Sequence, residues 1–133
     1  MKKPDSKLEK STLLVAVCGL HMRGFPLEKQ MLEYEAQFIR EALTAPKYQL
    51  FRLATTPEKP GLLKSNSSGA SIQIEIWEMP VNKFGDFVSK IPSPLGIGKV
   101  ELLDGSEILG FVCESYACES SENITTTGSW RNI

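Results

Sequence analysis

The sequence contains one histidine, His21, and almost no net charge. A conventional zinc site takes three or four nitrogen and sulfur ligands, so a single histidine excludes one, and we predict no metal and no cofactor. The 15 Lys and Arg residues nearly balance the 16 Asp and Glu residues, giving a net charge of −1 over 133 residues. Nucleic-acid-binding domains usually carry a basic excess, so we expect no nucleic-acid partner.

Paired cysteines and long hydrophobic runs are also missing. Cys18, Cys113 and Cys118 are odd in number and form no Cys-x-x-Cys pair, a usage typical of a reduced compartment and of a cytoplasmic protein. No apolar stretch approaches the ~18 residues of a membrane span, so we expect no membrane contact. The polar residues 1–11 predict a flexible leader, and residues 12–133 predict a single domain.

The first half of the domain predicts alternating strands and helices. Residues 12–18 are apolar and rich in β-branched side chains, which is typical of a buried strand. Apolar residues return at helical spacing over residues 27–43 and predict a long amphipathic helix. Residues 48–53 predict a second strand. Residues 55–69, rich in Pro, Ser, Gly and Lys, predict a loop that could act as a hinge or lid.

The second half predicts a strand, a helix and a hairpin. Residues 70–79 alternate, with Ile72, Ile74 and Ile76 on one face of the predicted strand. Residues 81–91 have helical spacing, and Asp104-Gly105 marks a hairpin turn. The order of elements predicts an α+β domain, with a small mixed β-sheet or β-barrel flanked by helices.

The glycine turn after the first predicted strand is the first candidate site. Gly19 and Gly24 punctuate a turn that leads into a helix, where free N–H groups favour a carboxylate or phosphate. Within it, His21 could transfer a proton near neutral pH, and Arg23 could clamp a carboxylate. Each feature also has a plain interpretation: an ordinary turn, a surface or capping histidine and a solvated arginine.

The predicted strand over residues 70–79 supplies the second candidate. Glu75 shares a face with Gln73 and Trp77. If that face lines a pocket, Glu75 is a part-buried acid. If the face is exposed to solvent, Glu75 and neighbouring Lys or Arg residues only keep the sheet soluble. No Gly-x-Ser-x-Gly elbow accompanies the histidine. Cys18 lies at a buried strand end, where an inert thiol is expected.

Several segments together resemble a known family. Residues 15–27 (VAVCGLHMRGFPL) resemble the first strand and glycine turn of the gamma-glutamylcyclotransferase-like fold, and more closely those of the C-terminal domain of allophanate hydrolase. The resemblance extends from about residue 13 to about residue 131. Its other segments are residues 44–48, 59–62, 74–80, 91–102, 110–114 and 123–131, of which Pro-Ser-Pro-Leu-Gly-Ile-Gly is the most specific.

This resemblance implies a small mixed β-barrel flanked by helices, with a pocket at the glycine turn. In full-length allophanate hydrolases an amidase domain first deaminates allophanate, and the C-terminal domain then promotes loss of CO2 from the carboxylated product. Carried onto this chain, the resemblance implies that His21 is the proton donor and that the backbone of Gly19 and Leu20 holds a substrate carboxylate. Arg23 and Glu75 are then the remaining candidates for binding this small carboxylate-bearing substrate.

Two other functions are open. The domain could be a non-catalytic module that binds or positions a separate amidase, because the same domain is usually attached to one. It could also be a gamma-glutamyl cyclotransferase, but those enzymes use a glutamate after the second helix, where residues 91–96 (IPSPLG) contain no acid. We therefore disfavour cyclotransferase activity and expect a role in urea or allophanate metabolism.

Overall fold

The computed structural model describes residues 11–133, which fold into strands joined by short helices. The strands, numbered along the chain, are β1 (Thr12–Val17), β2 (Gln37–Leu43), β3 (Tyr48–Leu53), β4 (Lys59–Lys64), β5 (Gln73–Pro80), β6 (Leu95–Glu101), β7 (Glu107–Cys113) and β8 (Glu122–Asn123). The α-helices are α1 (Glu28–Glu33), α2 (Val81–Ser89) and α3 (Ser115–Cys118), followed by 3-10 turns at Thr125–Thr127 and Trp130–Asn132. The predicted leader lies outside the described residues, apart from Ser11.

The strands form a mixed sheet of five and a smaller sheet of three. The larger sheet has the order β2-β5-β1-β7-β6, and the smaller one has the order β4-β3-β8. In the larger sheet β1 runs parallel to β7, whereas the other neighbours are antiparallel. The predicted α+β architecture with a mixed sheet flanked by helices is therefore confirmed, but the described strands leave both sheets open and form no closed barrel.

Strands β1 and β5 lie inside the larger sheet, and the second half of β1 and most of β5 are buried on both faces. Val15 and Ala16 of β1 are shielded, as its apolar composition predicts. In β5, Ile74 and Ile76 are buried on one face, and Glu75 and Trp77 are buried on the other. The alternation in β5 therefore separates two buried surfaces, and the solvent-facing alternative for Glu75 is wrong.

The predicted helix over residues 27–43 is wrong beyond its first turns. Helix α1 covers only Glu28–Glu33, and Glu35 then takes a φ of 61°, outside the helical region. The chain continues as β2, which pairs antiparallel with β5 from Gln37 opposite Glu78 to Leu43 opposite Gln73. The apolar residues of this segment fit helical spacing, but sheet pairing with β5 determines the structure.

The predicted loop over residues 55–69 contains a strand. Strand β4 pairs with β3 along its whole length, with Lys59 opposite Leu53 and Lys64 opposite Tyr48. Its Pro60 donates no ladder hydrogen bond and is tolerated because β4 is at the edge of its sheet. The loop prediction is therefore wrong for this central part of the segment.

The other local predictions are confirmed with shifted ends. Strands β1, β3 and β5 and helix α2 occupy the predicted segments, and β6 and β7 form the predicted hairpin. Gly105 in its turn has a φ of +89°, which glycine adopts readily. Trp130 is buried in the core. Within residues 11–133, no helix has the length and hydrophobicity needed to cross a membrane.

Candidate functional site

A cavity of about 220 Å³ lies beside the glycine turn that follows β1. The turn contributes Gly19, Leu20 and His21 to its wall. The other walls come from the start of β4, the segment after α2 and the strands β6 and β7. The structure therefore places three of the predicted site residues in the wall of one cavity.

His21 is held in the cavity wall by two aromatic rings and one amide. Its ring centroid lies 4.9 Å from that of Phe111 and 5.7 Å from that of Phe87. Its Nε2 atom lies 2.5 Å from Gln30 Oε1 on α1, and Nε2–H donates to that oxygen in the tautomer with its proton there. The imidazole is thus oriented by its neighbours, as a proton-transfer group requires.

The surroundings of His21 lower its pKa below the usual 6.5. Burial has the largest effect, because the charged imidazolium is poorly solvated inside the protein. The hydrogen bond to Gln30 acts in the opposite direction, and the positive charge of Lys59 lowers the pKa further. The lowered pKa favours the neutral form of the His21 imidazole.

The backbone of the turn presents N–H groups at the same place. The carbonyl oxygens of Gly19 and Leu20 accept hydrogen bonds of 2.9 Å from the N–H groups of Met22 and Leu27. Among residues 11–133, no hydrogen bond uses the N–H groups of Leu20 or His21. These two donors are available to an oxyanion that enters the cavity.

Gly19 is required by its contact with β4. A Cβ atom at this position would lie 2.0 Å from Pro60 Cγ and 2.6 Å from Pro60 Cδ. Real Cβ atoms do not approach a neighbour so closely, and the proline ring cannot swing away as a flexible chain could. The glycine thus permits the close packing of the turn on β4 that closes this wall of the cavity.

The charged residues of the cavity wall are all positive. Lys59 and Lys90 contribute to the lining, and among residues 11–133 no Asp or Glu does. Lys90 forms an ion pair with Asp86, with Nζ 3.4 Å from Oδ2, whereas Lys59 has no ion-pair partner among the described residues. The remaining wall is mostly apolar, including Leu27, Ile91 and Leu95. Such a cavity suits a small anion rather than a cation.

The described residues offer no metal site. Within residues 11–133, no group of three or more His, Cys, Asp or Glu side chains is arranged to hold a metal ion. Burial raises the pKa of the Cys18 thiol, which lines the cavity, to about 12. Cys18 is therefore protonated and a poor nucleophile or ligand.

Arg23 and Glu75 lie outside the cavity wall, in a set that we call the Glu75 cluster (Glu75, Arg23, Arg131 and Trp77). The Glu75 side chain is only 1% exposed. It accepts hydrogen bonds from Arg23 N–H at 2.9 Å, Arg23 Nε at 3.1 Å and Arg131 Nη2 at 2.9 Å. Trp77 Nε1 donates to it at 3.1 Å. The carboxylate is fully engaged within the protein.

The Glu75 cluster fixes the backbone of the glycine turn on the side away from the cavity. Glu75 accepts from the N–H of Arg23, and Arg131 Nη2 donates to the carbonyl oxygen of Arg23 at 3.0 Å. The N–H group and the carbonyl oxygen of Arg23, two residues after His21, are thus both fixed by hydrogen bonds. Arg23 and Glu75 meet each other, but they do not meet His21 in the cavity.

Two residues of the site were missed at the sequence level. Lys59 lies within the predicted loop, and its only signal is its place in the resembling segment 59–62. Gln30 lies on the predicted helix, where an amide has no distinguishing pattern. Neither residue could be linked to His21 without knowing that β4 and α1 both pack against the turn.

Comparisons with known proteins point to one family. The sequence profile of the allophanate hydrolase C-terminal domain matches residues 13–133. A urea amidolyase from Lachancea kluyveri is 36% identical over 136 aligned positions, which cover 98% of this chain and 7% of that protein. The chain therefore spans less than a tenth of the length of this curated relative.

Solved structures agree with the sequence matches. Allophanate hydrolase from Kluyveromyces lactis is 33% identical with a TM-score of 0.88, over 98% of this chain and 22% of that chain. A uropathogenic E. coli-specific protein is 37% identical with a TM-score of 0.85, over 91% of this chain and 94% of that chain. A gamma-glutamyl cyclotransferase, 15% identical with a TM-score of 0.56, shares the fold alone. The predicted gamma-glutamylcyclotransferase-like fold is thereby confirmed.

Proposed function

The chain belongs to the allophanate hydrolase C-terminal domain family, and we propose that it promotes loss of CO2 from a small N-carboxylated urea or carbamate. The observation that carries this proposal is the position of His21, in the wall of a cavity whose charged residues are all cationic. A small compound with carboxylate groups fits that charge. This reaction would follow a deamination performed by an amidase.

The reaction needs one proton at the right atom. The bond between nitrogen and the departing carboxylate carbon breaks, and its electron pair stays on nitrogen as CO2 leaves. The nitrogen then takes a proton from the His21 imidazolium, so that atoms and charge balance. General acid catalysis of this kind is worth about 10²–10⁴-fold in rate.

His21 acquires that proton when the substrate binds. Without a bound anion, its lowered pKa favours the neutral imidazole. A carboxylate that enters beside it stabilises the imidazolium and raises its pKa toward neutrality. Binding of the substrate thus favours the protonated form that the reaction needs.

The cavity wall supplies orientation and a dry environment. The N–H groups of the turn at Gly19, Leu20 and His21 hold the carboxylate that the product retains, as an oxyanion hole does. Apolar residues such as Ile91 and Leu95 contact the departing carboxylate and favour the uncharged CO2 over the anion. Arg23 and Glu75 act on this site through the turn, without contacting the substrate.

The test measures CO2 release from iminodicarboxylate, an N-carboxylated carbamate kept in alkaline solution and diluted into buffer. Membrane-inlet mass spectrometry of the ¹³C-labelled compound follows the product directly. We expect His21→Ala to lower the catalysed rate by about 10²-fold or more, whereas Lys99→Met, which removes an exposed charge away from the cavity, leaves it unchanged. If His21→Ala releases CO2 as fast as the parent protein, the proposal is refuted.

A second function has its own support in the lengths of the relatives. In the Kluyveromyces lactis allophanate hydrolase and in the urea amidolyase, the matching region is a small part of a much longer chain. The domain could therefore bind or position a separate amidase without performing chemistry. Size-exclusion chromatography after co-expression with a candidate amidase tests this, and the absence of any shared elution peak would contradict it.

A further inference from the structure

Lys59 is the cation of the cavity wall that lacks a partner. It is half-buried and lines the cavity, and no ion pair involves it among the described residues. Two other lysines show the usual arrangement: Lys64 on the same strand lies 2.8 Å from Glu101 Oε1, and Lys90 pairs with Asp86. A lysine in a cavity wall without a carboxylate partner is available to pair with an anion that enters the cavity.

The packing of β4 on the glycine turn determines where Lys59 lies. Lys59 is the first residue of β4 and pairs with Leu53 of β3 in the smaller sheet. The next residue, Pro60, contacts Gly19 so closely that no side chain fits between them. Lys59 is thereby brought to the same side of the cavity as the N–H groups of the turn.

We infer that Lys59 anchors the carboxylate that the substrate retains, together with the N–H groups at Leu20 and His21. This inference rests on the proposed function, since it assigns one end of the substrate of that reaction. Placing the cation at the retained carboxylate leaves the departing carboxylate against the apolar wall, where loss of its charge is favourable. Lys59 is thus a substrate-binding residue that sets the orientation of the reacting bond.

The charges around His21 agree with this assignment. Strand β4 presents Lys59, the end of α2 leads to Lys90, and α1 presents the neutral amide of Gln30. The thiol of Cys18, at the end of β1, is protonated. Lys59 lowers the pKa of His21, so a carboxylate bound to Lys59 reduces this effect and helps the imidazole to take up a proton.

The experiment uses malonate as a stable dicarboxylate probe in isothermal titration calorimetry. We expect Lys59→Met to weaken malonate binding about 10- to 100-fold, the value for loss of a charge-assisted hydrogen bond. Lys59→Arg should keep most of the affinity, and the matched control Lys99→Met should bind like the parent. If Lys59→Met fails to fold, Lys59→Gln takes its place.

The single histidine gives a second readout, because its NMR signals need no assignment among several imidazoles. Malonate should raise the pKa of His21 in the parent protein, and Lys59→Met should raise it without any ligand. Equal malonate affinity in the parent and in Lys59→Met would overturn the inference, as would a His21 pKa that responds to neither change.

Failure of the inference can be separated from failure of the proposed function. Suppose that Lys59 controls malonate binding but the parent protein releases no CO2 from iminodicarboxylate; the function is then refuted and the anchor stands. Suppose instead that the parent protein releases CO2 and Lys59→Met does so equally well at low substrate concentration. The anchor is then refuted, and the function stands.

Discussion

The cavity and the Glu75 cluster lie on the two sides of one turn. The charged groups of the cluster are paired within the protein, whereas a charged group of the cavity wall is not. In the cluster, a carboxylate that is 1% exposed is matched by two arginines, an indole and a backbone N–H. In the cavity, Lys59 and two backbone N–H groups have no acceptor among the described residues. Saturated polar groups hold a structure together, whereas unsatisfied ones at a concave surface are available to a ligand.

This contrast also divides the residues of the turn by role. His21 faces the cavity, while Arg23, two residues later, faces the cluster. The catalytic candidate is therefore positioned by a neighbour whose side chain and backbone are both fixed. Variants on the two sides should then separate stability from ligand binding.

The largest effect on stability is expected for Glu75→Gln. This change removes a buried charge and leaves two arginines without their carboxylate, so we expect a loss of about 3 kcal/mol in the free energy of unfolding. The value lies at the low end of the range for broken buried ion pairs, because the side chains of Arg23 and Arg131 are 43% and 37% exposed. Urea denaturation followed by circular dichroism measures it.

Glu41→Gln is the matched control for that variant. Glu41 also pairs with Arg23, at 3.1 Å, but its side chain is 50% exposed. Water screens such surface pairs, so the expected cost is below about 1 kcal/mol. Equal losses for Glu75→Gln and Glu41→Gln would show that the buried cluster has no special role.

Gly19→Ala should have an intermediate effect and should reach the cavity. The added methyl group overlaps Pro60, so the turn and β4 must move apart, at a cost of about 1–3 kcal/mol. Because Lys59 precedes Pro60, malonate binding should weaken as well. Thermal denaturation and calorimetry measure the two effects.

A glycine with free space around it provides the control. Gly85 in α2 has no atom within 4 Å of an added Cβ, so Gly85→Ala should stabilise the helix by about 0.5–1 kcal/mol and leave malonate binding unchanged. A stable, binding-competent Gly19→Ala protein would contradict the packing role of Gly19.

A smaller effect is expected from pH. The folded protein holds His21 with a pKa below the unfolded value of 6.5, so the unfolded chain binds the proton more readily. The free energy of unfolding should therefore fall as the pH drops below about 6.5, and the fall should end once the pH passes the folded-state pKa. His21→Gln should lack this component, as denaturation between pH 5 and pH 8 would reveal. An equal pH dependence in both proteins would argue against a buried neutral imidazole.

No measurable 5-oxoproline is expected from gamma-glutamyl compounds. The part of the chain that the structure describes places no carboxylate in the cavity wall to serve as the acid or base of a cyclotransferase. Chromatographic detection of 5-oxoproline after incubation with a gamma-glutamyl amino acid tests this expectation. Product formed at a rate that His21→Ala leaves unchanged would show that the cavity chemistry has been misassigned.

The sequence predicted those elements that local patterns determine. The apolar run of β1, the spacing of α2 and the Asp104-Gly105 turn each depend on neighbouring residues and are confirmed. The segment of β2 fits a helical pattern, and pairing with β5 overrides that preference. Strand β4 was missed because its Pro60 and Gly61 are typical of loops and are tolerated only at a sheet edge.

The same limit applies to the site. The turn with His21 could be found because its glycines and histidine are consecutive. The sequence could not show whether Glu75 faces the cavity or the cluster, since both faces of β5 are buried. Lys59 could be recognised only from the contact between Pro60 and Gly19. These two residues are 41 positions apart in the sequence, so no local pattern predicts the contact.

The pairing of Glu75 with Arg131 has a consequence for how the chain acquires its structure. Arg131 lies 56 residues after Glu75 and 108 residues after Arg23, so the ribosome produces the carboxylate long before its second arginine. Until Arg131 has been made, the carbonyl oxygen of Arg23 and the carboxylate of Glu75 lack the hydrogen bonds that Arg131 donates. Arg131 also follows every strand of the larger sheet, so the sheet around Glu75 can form before Arg131 makes its contacts with the turn.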